Sequence, residues 1–189
     1  MSGRRKEPGK FSQFDEEFIL KDLWGNRGPG RCADIGARGQ RGSNVAAFLY
    51  KGWFCQLIDK NVNGLRKDFP TSPGCKHQLV HATVTPENIN SLLAPDLDLL
   101  SIDVDGNDYY LFEALNQSPK IVVIETNPKR SEGVQELNEI LRNDFASRAK
   151  RGCSVPKMLE LGASKGYRLH QKTGVNLIFV HETELHTPA

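Results

Sequence analysis

Five short apolar runs, Arg31–Ile35, Phe54–Asp59, His77–Ala82, Leu97–Asp103 and Ile121–Glu125, alternate along the chain with stretches of helical character. This rhythm restricts the chain to an α/β architecture with a mostly parallel sheet. Runs such as LDLLSID and IVVIE are apolar at nearly every position, which suits strands covered by helices on both faces. The helical stretches are Phe14–Trp24, Asn44–Tyr50, Asn61–Asp68, Pro86–Leu93 and Tyr109–Leu115. The first places Phe14, Phe18, Leu20 and Leu23 at helical spacing, with acids in its opening turn. Gly25, Gly28, Pro29 and Gly30 stop it.

Beyond Asn127 the pattern changes. Pro128 to Arg151 is charged and predicts a helix around Gln135–Ala149. Ser154 is placed to cap a helix running to Lys165. Two strands follow, Tyr167–Gln171 and Val175–His181, joined by Lys172, Thr173 and Gly174. So short a connection makes the pair antiparallel. Five βα units and a closing hairpin give a seven-stranded sheet.

With 189 residues, 38% of them hydrophobic, the chain can bury the core of one domain. Its 25 basic and 23 acidic side chains leave a net charge of +2. Arg4, Arg5, Lys6 and Lys10 against Glu7 give the first ten residues +3, so the remainder carries 2 − 3 = −1. The expected organisation is a basic, disordered arm at 1–10 followed by one domain over 11–189. A slightly acidic domain makes nucleic acid the less favoured partner. No run approaches the roughly 18 apolar residues of a membrane span, and MSGRRKEPGK lacks the apolar region of a secretory signal. The expectation is a cytoplasmic protein with no membrane contact. Cys32, Cys55, Cys75 and Cys153 lie 23, 20 and 78 residues apart. That spacing fits neither a zinc site nor a C-x-x-C pair, so they read as thiols in a reducing compartment.

In open α/β sheets ligands bind beyond the carboxyl ends of the strands. The first strand ends in Asp34-Ile35-Gly36-Ala37-Arg38-Gly39-Gln40-Arg41-Gly42-Ser43-Asn44, an acid followed by a glycine-rich turn into a helix. The second ends at Asp59, 25 residues after Asp34, where an acid accepts hydrogen bonds from ribose hydroxyls. Asp34 would repel a pyrophosphate. It would attract the ammonium and sulfonium of S-adenosylmethionine, and the D-x-G pattern therefore favours that cofactor over NAD. The third strand ends in Ala82 and Thr83, beside the expected adenine pocket. The fourth gives Asp103-Val104-Asp105-Gly106-Asn107-Asp108. This is not a calcium loop, because its glycine is fourth rather than sixth and Ala114 stands where the closing glutamate belongs. The fifth ends in Glu125-Thr126-Asn127. His81 reads as a strand-end residue, Tyr109 and Tyr110 as helix-packing aromatics and Trp53 as core.

The strings SQFDEE, GARGQRGSN, SIDVDGNDYYLFEAL, IVVIETN and GYRLHQKTGVNLIFV resemble, in order over about residues 11–181, the FkbM-like branch of class I adenosylmethionine-dependent methyltransferases. The resemblance implies a Rossmann-like sheet of order 3-2-1-4-5-7-6 with strand 7 antiparallel. It implies cofactor contacts from Asp34, Gly36, Ala37, Arg38, Gly39, Asn44, Asp59, Lys60, Ala82, Thr83 and Asp103. The acceptor is expected between Asn127 and Ser154.

Methyl transfer from a sulfonium is an in-line displacement, and a hydroxyl acceptor must also lose its proton. Asp103, Asp105 and Asp108 are the candidate bases. Catechol O-methyltransferases, a related class, hold a divalent metal at the ends of the fourth and fifth strands. A similar oxygen-rich site here would draw on Asp103 or Asp105 with Glu125 and Asn127 and suit Mg²⁺. The leading expectation is O-methylation of a small-molecule acceptor such as a sugar or natural product. The alternatives are an RNA or protein methyltransferase, using the arm with Arg148, Lys150 and Arg151, and a non-catalytic nucleoside-binding module.

Overall fold

The computed structural model describes residues 11–37, 39–69, 76–136 and 151–186. The basic arm, Arg38, Cys75, Arg148, Lys150 and most of the helix expected over Gln135–Ala149 lie outside the described residues.

The strands are β1 (Arg31–Ile35), β2 (Phe54–Asp59), β3 (Lys76–His81), β4 (Leu99–Ile102), β5 (Ile121–Glu125), β6 (Tyr167–Thr173) and β7 (Asn176–His181). They form one sheet in the order β3-β2-β1-β4-β5-β7-β6. β1 through β5 pair in parallel, while β7 runs antiparallel to both β5 and β6. β6 extends to Thr173, so Gly174 and Val175 alone form the hairpin turn.

Alternation along the strands divides the core. Ile35, Ile58, Leu100, Ile102, Val122, Ile124 and Phe179 face α4 (Ile89–Leu92), α5 (Asp108–Ala114) and α6 (Val155–Ser164). Cys32, Cys55, Leu57, Leu99, Val123 and Ile178 face α1 (Glu16–Trp24), α2 (Ala46–Leu49) and α3 (Val62–Asp68). Each fully buried aliphatic or aromatic side chain contributes about 1.5–3 kcal/mol. α6 comes close enough to β7 that a Cβ on Gly162 would meet the Phe179 ring at 2.6 Å. Its first turn is capped as expected, the Ser154 hydroxyl accepting from the Lys157 N–H at 3.4 Å.

The first four helices are shorter than the apolar pattern predicts, while α5 keeps its expected length one residue earlier. α2 is a single turn, because the Phe48, Lys51 and Gly52 amides bond three residues back, to Val45, Phe48 and Leu49. These tighter 3₁₀-type bonds do not propagate. α1 is held from its first turn: Glu16, fully buried, accepts from the Thr173 hydroxyl at 2.6 Å and the Asn176 amide at 2.9 Å. Among the described residues no helix is long and apolar enough to cross a membrane.

Candidate functional site

The strand order reverses between β1 and β4. The chain leaves β1 toward β2 on one side and returns through β4 on the other. Loops departing from such a pair diverge and open a crevice at their carboxyl ends. Here they also touch. Gly36 has φ +85°, and the position of a Cβ on it is taken by the backbone carbonyl of Asp103. The Gly36 and Ala37 amides both donate to the Ile58 carbonyl, at 2.9 and 3.3 Å, and the Asp103 amide donates to Ile35 at 3.0 Å. β1, β2 and β4 are thereby tied together at the crevice floor.

Asp34 lies beneath this turn rather than on its rim, with only 4% of its surface exposed. Its carboxylate accepts the Ser43 hydroxyl at 2.6 Å, and Ser101 lies directly opposite it on β4. Burial pushes its pKa up to about 7 although the Ser43 and Ser101 hydroxyls act to lower it, and the charges of Asp103 and Asp59 add to the rise. Asn44, also buried, donates its amide to the Ser101 oxygen at 3.1 Å. Ser43 and Ser101 carried no signal in the sequence pattern.

The neighbouring strand ends supply the other expected contacts. Asp59 accepts the Asn61 amide at 2.6 Å through one carboxylate oxygen. The Lys60 carbonyl meets the His81 ring nitrogen at 2.8 Å, and the Ala82 amide donates to the Asp59 carbonyl at 3.1 Å. The Thr83 carbonyl accepts from Asn88 at 3.0 Å. Asp59, Lys60, Ala82 and Thr83 therefore stand on adjacent loops. Ala37 and Gly39 are buried within the glycine turn.

On the β5 side the acids crowd together. Donor oxygens of Asp103, Asp105 and Glu125 all lie within 4.8 Å of one another. Burial and the negative charge of Asp103, Asp108 and Asp105 push the Glu125 carboxyl up to about 9, where it hydrogen-bonds Asp103 as the proton-bearing partner. Asp105, at φ +61°, pairs with Arg151 at 3.5 Å. Asp108 has a different position from its neighbours. It is 3% exposed, and its two oxygens accept the Val104 and Gly106 amides at 2.9 and 3.0 Å, closing its own loop. Burial raises its pKa to about 7.

Three oxygen donors at this spacing match a hard divalent cation in type. Asn127 is engaged elsewhere: its NH₂ donates to the Arg151 carbonyl at 2.7 Å and its oxygen accepts the Lys129 amide at 2.9 Å. Beside the acids opens a cleft of about 340 Å³, lined among others by Asp105, Glu125, Asn127, Lys129, Arg151 and Cys153. Gln135, unremarkable in the sequence, holds one wall: its side chain accepts the Gly152 amide at 3.1 Å and its carbonyl accepts the Tyr110 hydroxyl at 3.0 Å. Tyr109 is buried in the core cluster and Trp53 packs against Trp24 and Phe48.

No protein-family model matches the sequence, and no curated protein matches it. Solved structures match in fold. One is the 1,6-didemethyltoxoflavin-N1-methyltransferase of Burkholderia thailandensis, solved with 1,6-didemethyltoxoflavin and S-adenosylhomocysteine. It is 15% identical, with 87% of this chain and 74% of that one covered and a TM-score of 0.53. The mitomycin 7-O-methyltransferase MmcR is 14% identical over 88% of this chain and 53% of its own, with a TM-score of 0.53. A protein described as a pericyclic reaction enzyme is 14% identical over 95% of this chain and 50% of its own, with a TM-score of 0.54. The chain spans about half the length of the last two. At these identities the likeness shows a shared seven-stranded fold, and one fold hosts different chemistries.

Proposed function

We propose that the chain is an S-adenosylmethionine-dependent methyltransferase, of the FkbM-like branch its motifs resemble, that methylates a hydroxyl of a small acceptor such as a sugar or natural product. One observation carries the reading. The β1–β4 crevice has a glycine turn at its floor, a buried carboxylate beneath it and the Asp59 carboxylate on the adjoining strand end, with a cleft lined by acids and bases alongside. A nucleoside carrying sulfonium and ammonium charges suits that field, whereas a pyrophosphate does not. Structures of the same fold include methyltransferases, one of them with S-adenosylhomocysteine bound, which supports the reading.

The cofactor supplies an electrophilic methyl group on sulfur; as the acceptor oxygen bonds to it, the carbon–sulfur bond breaks. The protein has to hold the acceptor in line and receive its proton. Asp103 is the base this geometry favours, since its backbone stands at the crevice floor and its carboxylate lies within 4.8 Å of Asp105 and Glu125, which line the cleft. Glu125 retains its own proton at neutral pH, and Asp108 is committed to two backbone amides. A divalent cation such as Mg²⁺, where one takes part, would be held by Asp103, Asp105 and Glu125 and would stabilise negative charge on the acceptor oxygen.

The test is thermal. A ligand that binds the native state raises its melting temperature by mass action. Adenosylmethionine and adenosylhomocysteine at millimolar concentration are expected to do so. If neither does, the cofactor reading is wrong.

A further inference from the structure

The cleft that Asp105 and Glu125 line is also lined by two cations, Lys129 and Arg151. They belong to separate stretches of chain, Lys129 following β5 and Arg151 preceding α6. Asn127 ties the two stretches together. Its side-chain oxygen accepts the Lys129 amide at 2.9 Å, and its NH₂ donates to the Arg151 carbonyl at 2.7 Å. Its own backbone amide donates to the Cys153 carbonyl at 2.7 Å. Gln135 and Gly152 add a second tie, the Gln135 amide donating to the Gly152 carbonyl at 2.9 Å and the Gly152 amide to the Gln135 side-chain oxygen at 3.1 Å. Both cations are therefore anchored at one cleft.

Like charges gathered at one place repel unless an anion shares them. Asp105 meets Arg151 at 3.5 Å, longer than the roughly 2.7–2.9 Å of a well-formed charge-assisted hydrogen bond. Lys129 is exposed and makes no ion pair among the described residues. The cleft thus holds more positive charge on this stretch than Asp105 offsets. Its volume of about 340 Å³ is at the small end of ligand pockets, roughly 300–1,000 Å³.

Resting on the proposed methyltransferase reading, we infer that the acceptor bound in this cleft carries an acidic group, a carboxylate or a phosphate, held by Lys129 and Arg151. A guanidinium fork pairs with two oxygens of either group at once, and an ammonium adds a point charge. The hydroxyl of the same molecule is left to the acids of the cleft. Asn127 is the positioning residue that keeps the two cations together, which accounts for an amide engaged with backbone at the sheet edge.

The experiment measures binding by calorimetry with adenosylhomocysteine at saturation. Glucuronate and glucose 6-phosphate are compared with glucose, and 3,4-dihydroxybenzoate with catechol, so that each acid shares its body with a neutral partner. At least one acid is expected to bind about tenfold more tightly than its neutral partner, the scale of a hydrogen bond to a charged group. The two sugar acids tell carboxylate from phosphate. Lys129→Ala, at an exposed position where substitution is expected to leave the fold intact, should reduce the preference to within about twofold, and Lys129→Arg should restore it. Asn127→Ala should lose the same preference while the neutral partner binds as before. If no acid binds more tightly than its neutral partner, or if the preference survives Lys129→Ala, the inference is overturned. A wild-type chain that does not bind adenosylhomocysteine overturns the cofactor reading and this inference with it, whereas one that binds it and prefers no acid overturns this inference alone.

Discussion

The backbone carbonyl of Asp103 occupies the space that a Cβ at Gly36 would need, so the loops after β1 and β4 meet with no side chain between them. Gly36→Ala must strain a backbone at φ +85° and also push the two loops apart. The left-handed conformation alone costs about 1–2 kcal/mol. A total of about 2 kcal/mol lowers the melting temperature of a domain this size by about 4–8 °C. Adenosylhomocysteine binding is expected to be lost as well, because the crevice floor moves. Thermal denaturation and calorimetry check both parts; a variant that melts and binds like the wild type would show that the contact is dispensable.

Asp103 and Asp108 are five residues apart, yet their substitution should fail in different ways. Asp108→Asn places an NH₂ against one of two backbone amides that now donate to a carboxylate, leaving a buried donor unpaired. That costs about 1–3 kcal/mol of stability. Asp103→Asn keeps the backbone contact with Ile35 and is expected to fold, with turnover lowered about 10²–10⁴-fold as for a lost general base. Melting curves beside single-turnover rates separate the two. Full stability in Asp108→Asn, or full turnover in Asp103→Asn, would contradict the assignment concerned.

The same pair shows what the sequence could and could not reveal. β1, β2 and β5 were legible to the residue because apolar runs bounded by turn residues need no knowledge of their partners. The acids at the strand ends were legible because topology alone brings those ends together. Whether an acid faces ligand or its own loop was not: Asp34 and Asp108 turn inward to hydroxyls and amides that become neighbours only in the folded chain. Glu16 looked like a first-turn acid favouring the helix dipole, but it holds Thr173, 157 residues away. Ser101 is one polar residue in a buried strand, and nothing local distinguishes it from a packing accident.

Asp59 should carry the ribose. One of its oxygens accepts the Asn61 amide and the side chain is only partly buried, which leaves acceptor capacity for a ligand hydroxyl. Hydrogen bonds to a charged group contribute about 1.5–3 kcal/mol each. Asp59→Ala is therefore expected to weaken both adenosylhomocysteine and methylthioadenosine, which share the ribose, about 10–100-fold. Unchanged calorimetric affinity would remove Asp59 from the site while leaving the cofactor reading standing.

Buried acids also set the pH dependence of stability. Burial raises Asp34 and Asp108 from 3.8 to about 7. Between those values the folded chain binds protons that the unfolded chain has released. Their contribution is thus fully present below 3.8 and is lost as pH rises through about 7. Glu16 acts in the opposite sense. Burial raises its pKa, but hydrogen bonds from Thr173, Asn176 and the Phe14 amide outweigh it and bring the value below 4.5. Its contribution is present above that pH and lost on acidification. From these shifts the ligand-free protein is expected to melt highest at about pH 4–4.5 and to lose stability as pH rises to about 7, with Asp34→Asn flattening that limb. A cationic ligand should stabilise more at pH 8 than at pH 6, because it favours ionised Asp34. Melting curves across that range, with and without adenosylmethionine, check both signs; a ligand-free melting temperature that rises steadily from pH 5 to 8 would show that these carboxyls are not held protonated by burial.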